Sequence, residues 1–176
     1  MPSNYASPNA ELEKDNQYDE QVVSIDRVAR VVKGGRRFRF RALVVTGDHK
    51  SKVGVGVSKG GDVQSAIAKA ATKARKNLID VPVKNGTIPH DITLKYSGSH
   101  VVLRPASPGT GLIAGGVVRT VLELGGIQNA LSKSLGSSNK INTAYATHKA
   151  LSELVSADQW ITTKNDNKLK KKVAKK

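Results

Sequence analysis

The chain contains no cysteine, which excludes disulfides and thiolate metal sites. Aromatic residues make up 4% of it, namely two Phe, four Tyr and one Trp, too few for a sheet paved with base-stacking rings. Phe38 and Phe40 are both expected to face the core, which argues further against base stacking. No run of about 18 apolar residues occurs, and the N-terminus lacks the basic-then-apolar build of a secretory leader. A cytoplasmic protein without a membrane partner is therefore expected. Acids are also scarce: 14 Asp and Glu stand against 29 Lys and Arg, giving a net charge of +15. An excess of this size predicts a polyanionic partner, and nucleic acid fits better than an anionic membrane surface. The four histidines, His49, His90, His100 and His148, have no metal-ligand spacing and no flanking carboxylate pair. Neither a metal nor a cofactor is expected.

The charge is unevenly placed. Residues 1–20 carry five acids (Glu11, Glu13, Asp15, Asp19, Glu20) and one lysine, a net −4. Residues 164–176 carry seven lysines and one aspartate, a net +6, so residues 21–163 hold the remaining +13. The basicity thus belongs to the folded part. Residues 1–19 are assigned to a flexible acidic N-terminus and 161–176 to a basic tail, since both are polar and poor in large apolar groups.

Gly35 to Asp48 holds the most informative pattern. In an extended strand Arg37, Arg39 and Arg41 point to one face, while Phe38, Phe40, Ala42 and Val44 point to the other. Three arginines spaced about 6–7 Å apart repel one another unless an anion meets them. Phosphate is the natural anion, because its oxygens match the guanidinium fork. The preceding Lys33-Gly34-Gly35-Arg36 reads as the Gly-Gly turn of a hairpin, where glycine admits positive φ and close approach of RNA.

The organisation is α+β in two small domains. Residues 20–83 follow a β-β-β-α pattern: strands near 22–32, 36–47 and 52–58, then a helix near 62–78 capped at Asp62. Val63, Ala66, Ile67, Ala70, Ala74 and Leu78 share one face of that helix, and Lys69, Lys73 and Lys76 share the opposite one. No acid relieves this lysine face between Gln64 and Asn77, which suits phosphate. Residues 84–91, with Asn85-Gly86 and Pro89, are read as a linker. Residues 92–160 then form an α/β sandwich, with strands at 92–96 and 101–104 and a short strand or turn at 125–129 leading into 130–135. Helices are expected at 117–124 and 142–155, the second capped by Asn142, and right-handed crossovers place both on one side of the sheet.

Pro105 to Gly116 is a glycine-rich run before a helix, a context that can bind phosphate through backbone N–H groups. It lacks the Gly-Lys-Ser/Thr ending of a Walker loop and a nearby acid for Mg²⁺. No nucleophile–base constellation occurs elsewhere, so no enzyme and no small-molecule substrate are expected.

These residues carry a family resemblance over about residues 20–160. Val31–Leu43, with Gly47-Asp48 and Val53-Gly54-Val55-Gly56, resembles the N-terminal signature of the bacterial-type ribosomal protein five of the small subunit. Pro105–Arg119 is similar to the C-terminal hallmark of that universal family, and Gly136–Asn139 with Asn142–Ala144 adds a third block. Two departures are visible: Ser51 stands where a glycine is usual, and Thr46 replaces an apolar strand residue with little expected effect.

The resemblance implies a double-stranded-RNA-binding-like N-terminal domain and a second domain shaped like one found in certain kinases and gyrase subunits. It implies incorporation into the small subunit and contact with its ribosomal RNA at the head–body junction. Small-subunit proteins four and eight would be neighbours, with the mRNA entry region close by and a role in decoding accuracy. The hairpin, with Ala29, Arg30 and Gly35, would lie near the spectinomycin site. Gly111 and Arg119 would share a surface against protein four.

Together the patterns and the resemblance nominate Arg30, Lys33, Gly34, Gly35, Arg36, Arg37, Arg39 and Arg41 on the hairpin as RNA-binding. Lys50, Lys52 and Lys59 are added on the sheet, and Lys69, Lys73 and Lys76 on the helix. Two other readings stay open: a free-standing double-stranded-RNA-binding protein, and a phosphate-handling enzyme built on Gly109–Gly116.

Overall fold

β-Branched residues alternating with polar ones, punctuated by glycine turns, build an antiparallel first sheet in the computed structural model, which describes residues 18–156 and Gln159. The acidic residues before Tyr18, Trp160 and the lysine tail lie outside the described residues. Strands β1 (Asp19–Val32), β2 (Gly35–Gly47) and β3 (Lys52–Gly60) pair in sequence order. Helix α1 (Val63–Lys76) follows, and β4 (Leu78–Asp80) closes the sheet beside β3. The first turn is tighter than a Gly-Gly loop. Val32 pairs with Gly35, so Lys33 and Gly34 form the loop and Gly35 already belongs to β2. Both glycines take positive φ, +89° and +147°, which a side chain would resist.

The second unit is a mixed sheet in the order β5-β6-β8-β7. Its strands are β5 (Ile92–Tyr96), β6 (Ser99–Pro105), β7 (Leu112–Ile113) and β8 (Ala130–Gly136). Helix α2 (Gly116–Leu124) connects β7 to the parallel β8, and α3 (Lys140–Ser152) follows. Two expectations need correction here. A short strand, β7, lies inside the glycine run, because Leu112 and Ile113 find free partners on the edge of β8. The last helix starts earlier and is capped by Asn139, whose Oδ1 accepts the Ile141 N–H at 3.1 Å, so Asn142 sits in the first turn.

One layer of the fold escapes simple alternation. Ala42 and Val44 pack under Ala66, Ala70 and Ala71 of α1. Leu43 and Val45, on the arginine side of β2, are also buried, with Val53 and Val55 of β3. They share one core with Val118, Val121, Leu122 and Leu124 of α2. The arginine face is therefore cationic only in its first half; beyond Arg41 it becomes an interdomain core. Exposing these four residues would cost about 1.5–3 kcal/mol each, so the first unit is not built to stand free. Residues 81–91 are drawn into the same core through Val81 and Ile88. Thr46 is fully buried and its hydroxyl has no hydrogen-bond partner among the described residues, so the departure from an apolar residue does carry an energetic penalty.

The turn between β2 and β3 is organised by Asp48, whose Oδ1 accepts the N–H groups of Lys50, Ser51 and Lys52 at 2.8–2.9 Å. Desolvation pushes the Asp48 carboxyl pKa up, but these backbone donors together outweigh it and hold the pKa below the usual carboxylate value. Ser51 fits this turn without positive φ; His49 takes the left-handed conformation instead, at φ 55°. The turn abuts Gly126, where a Cβ would come within 2.6 Å of Lys50 O.

A second interdomain contact is titratable. His148 Nε2 on α3 lies 2.9 Å from the carbonyl of Asn77 at the end of α1. Burial disfavours the imidazolium and lowers the His148 pKa below 6.5, although the bond to Asn77 opposes the shift. The unfolded chain therefore takes up this proton first as pH falls. The contribution to stability is complete above about pH 6.5 and is lost as pH drops toward the folded-state value. Thermal unfolding followed from about pH 7.5 to about pH 5 should steepen on the acid side. His148→Gln should flatten that decline, and equal slopes in both proteins would show that His148 does not set it.

Candidate nucleic-acid interface

β1 and β2 run on beyond the end of β3. Phe40 pairs with Gly60, the last residue of β3, so residues 27–39 form a two-stranded ribbon with both faces open. On one face Arg30 stands directly opposite Arg37, and Val28 opposite Arg39. Lys59 joins them from β3, opposite Arg41 and one residue before the strand ends. Like charges placed opposite one another destabilise a sheet, so this arrangement is maintained at a cost. Arg30, Arg37, Arg39 and Lys59, with Val28 and Val32, line a cavity of about 290 Å³.

Arg41 behaves differently from its neighbours. Its guanidinium is held by Asp26 at 2.9 Å and is only 33% exposed. That partner was hidden in the sequence, because Asp26 lies fifteen residues away and is brought opposite only by the β1–β2 register. The open cationic set is thus Arg30, Arg37, Arg39 and Lys59, with Lys33 and Arg36 at the tip.

The remaining nominated cations do not join this set. Lys69, Lys73 and Lys76 are exposed on α1, which covers the opposite face of the sheet. Lys73 Nζ reaches back to Val57 O at 3.3 Å, and Arg75 pairs with Glu20 at 2.9 Å. Lys50 and Lys52 lie at the far end of β2, roughly 40 Å from the ribbon tip at about 3.3 Å per residue. Three surfaces emerge, and the ribbon is the densest of them.

Phe38 corrects a further expectation. It is 46% exposed, because the covering helix ends one row earlier at Phe40. The guanidinium of Arg27 lies over its ring, 3.8 Å from the centroid. Arg27 was not singled out in the sequence; only the strand register reveals it as the diagonal neighbour of Phe38.

The glycine run is wired to its own domain. The N–H groups of Gly109 and Gly111 both donate to Asn129 Oδ1, at 3.1 and 3.0 Å, and Gly111 O accepts from Ala130 N. The Gly109 and Gly111 donors of the run are thus engaged within the domain. Asn129 had no local signal, being eighteen residues from Gly111. Gly111 and Arg119 do meet on one surface, lining a shallow groove with His49, Glu123 and Gln128.

A cationic ribbon on an α+β scaffold defines a candidate nucleic-acid-binding protein. Comparison with known proteins makes the class specific. Residues 18–82 match the family described as ribosomal protein S5, N-terminal domain, and residues 94–164 match ribosomal protein S5, C-terminal domain. The small ribosomal subunit protein uS5 of Thermus thermophilus is 51% identical over 140 residues, covering 80% of this chain and 86% of the relative. Its counterpart in Treponema denticola is 52% identical over 141 residues, covering 80% and 82%. That of Treponema pallidum is 49% identical over 144 residues, covering 82% and 84%. The chain belongs to the ribosomal protein S5 family of the small ribosomal subunit. Its relatives are structural proteins of the ribosome, not enzymes, and its place is the cytoplasmic ribosome.

Proposed function

We propose that the chain binds small-subunit ribosomal RNA through the 27–39 ribbon at the head–body junction and helps set decoding accuracy. The observation carrying this reading is the cavity lined by Arg30, Arg37, Arg39 and Lys59, since Asp26, the acid on this face of β1, is already engaged by Arg41. Folded RNA offers a deep, narrow major groove, so the contact is to phosphate and shape more than to base edges. Lys69, Lys73 and Lys76 on α1 and Lys50 and Lys52 at the far turn supply secondary phosphate contacts. The domains divide at residues 84–91. Co-sedimentation with small subunits in high-magnesium buffer tests incorporation; a chain that stays free at the top of the gradient would contradict it.

The ribbon tip is the antibiotic-response loop in this reading. Ala29, Arg30 and Gly35 stand near the spectinomycin site, and an Asp at position 35 would add both an anion and strain at φ +147°. Unchanged drug sensitivity and growth in a Gly35→Asp strain would remove the loop from that role.

The groove containing Gly111 and Arg119 is assigned to the contact with small-subunit protein four. Protein eight and the mRNA entry region are further neighbours. If this contact loosens when the subunit closes on a matched codon, weakening it favours the closed state. A bias of about 1.4 kcal/mol shifts the open–closed ratio tenfold. Gly111→Arg and Arg119→Leu are each expected to raise stop-codon read-through while subunit assembly stays normal. Wild-type read-through in both strains would leave the groove without a part in fidelity.

A further inference from the structure

We infer that Arg27 and Phe38, on the second face of the ribbon, form a stacking platform for one unpaired RNA base. The inference rests on the RNA-binding reading above and adds a base-contacting element to it. Phe38 and Val31, 46% and 77% exposed, lie on the same side of the ribbon. Large apolar groups gathered on an exposed surface mark a contact. Ala29, directly opposite Phe38, is small and leaves the ring uncovered on that side.

Arg27 makes no hydrogen bond or ion pair among the described residues, and its guanidinium is spent on the Phe38 ring. A guanidinium plane over an aromatic ring is pre-ordered, and either surface of that stack accepts a flat base. Arg36, opposite Val31 on this face, is placed to meet the phosphate beside such a base. An acidic peptide or anionic lipid would also meet the cations, but a nucleotide joins a flat ring to a phosphate in one unit. An extruded nucleotide uses both the apolar groups and the cations. The reverse face, with Arg30, Arg37 and Arg39, then grips the flanking duplex, so the ribbon would sit between a helix and a bulge.

The test uses the full chain and two RNAs: a duplex of about 16 base pairs, and the same duplex with a single bulged adenosine. Wild type and Phe38→Tyr are expected to bind the bulged RNA roughly tenfold tighter than the plain duplex. Phe38→Leu, which keeps the apolar bulk, should lose that preference while its duplex affinity and salt dependence stay unchanged. In a Trp160→Phe background, Phe38→Trp should show emission quenched by the bulged RNA only. A preference that survives Phe38→Leu overturns the platform. So does a Phe38→Leu variant weakened equally toward both RNAs together with a lower melting temperature, since that marks a structural role. If wild type binds neither RNA, the RNA-binding reading falls and the platform with it; if it binds both equally, the platform alone falls.

Discussion

Replacing Arg30, Arg37 and Arg39 together with glutamine is expected to weaken binding to small-subunit ribosomal RNA by about a hundredfold or more at 0.1 M salt. Each phosphate contact contributes about 0.7–0.9 to the slope of log affinity against log salt concentration, hence nearly one log unit of affinity at that salt. Three lost contacts should therefore flatten the slope by about 2–3. The fold should be untouched, because the three side chains are exposed and two of them, Arg30 and Arg37, repel across the ribbon. Removing that pair should if anything stabilise the isolated protein. Arg41→Gln makes the informative comparison. Its guanidinium is committed to Asp26, so it should change the salt slope least and stability most among the four. Affinity measured across a salt series, alongside thermal unfolding, separates these outcomes. An unchanged slope in the triple variant would make the ribbon arginines solvated bystanders.

Strand positions were readable wherever alternation and turn chemistry spoke together. Ile92–Tyr96 and the Lys52 start of β3 coincide with their expected limits, and Asp62 caps α1 as its sequence suggests. What stayed hidden depends on partners remote in sequence. Nothing near Leu43 and Val45 says that α2 will cover the arginine side of β2, because that packing is decided some seventy-five residues later. Phe38 obeys the same alternation as Phe40, yet the helix runs out between them and leaves Phe40 partly buried against the core and Phe38 in solvent. Asn129 anchors the glycine run through a side chain whose identity is unremarkable in its own segment. For the site, residue type was legible and grouping was not. The nominated cations were placed on a strand face, a turn and a helix face, and only the strand register and layer order show that these form three separate surfaces. The family resemblance, by contrast, rests on ordered blocks of small and basic residues, and the matched ranges of both domains cover them.

The glycines of Val53-Gly54-Val55-Gly56 bear on how α1 presents its lysines. Alternation turns both glycines toward the helix and their valine neighbours toward the interdomain core. The facing helix surface is alanine at Ala66, Ala70, Ala71 and Ala74, so β3 and α1 approach backbone to backbone. A Cβ at Gly56 would run into Ala70 O and stand 2.5 Å from Ala74 N, both main-chain atoms that cannot swing aside. The helix would have to lift off the sheet, opening the small core of Ala42, Val44, Ala66 and Ala70. Gly56→Ala is therefore expected to cost about 3 kcal/mol or more, the upper range for overpacking, because backbone has to yield instead of a side chain. For a chain of this length that is a fall of roughly 6–12 °C in Tm. Gly61→Ala is the matched control: a Cβ there meets nothing within 4 Å and its φ is not positive. It should be neutral or stabilise by up to about 1 kcal/mol through the unfolded state. Urea unfolding of the two variants measures the difference directly. A Gly56→Ala protein as stable as Gly61→Ala would mean that α1 rides loosely on the sheet, and the lysine face of α1 would then lose its fixed position relative to the ribbon.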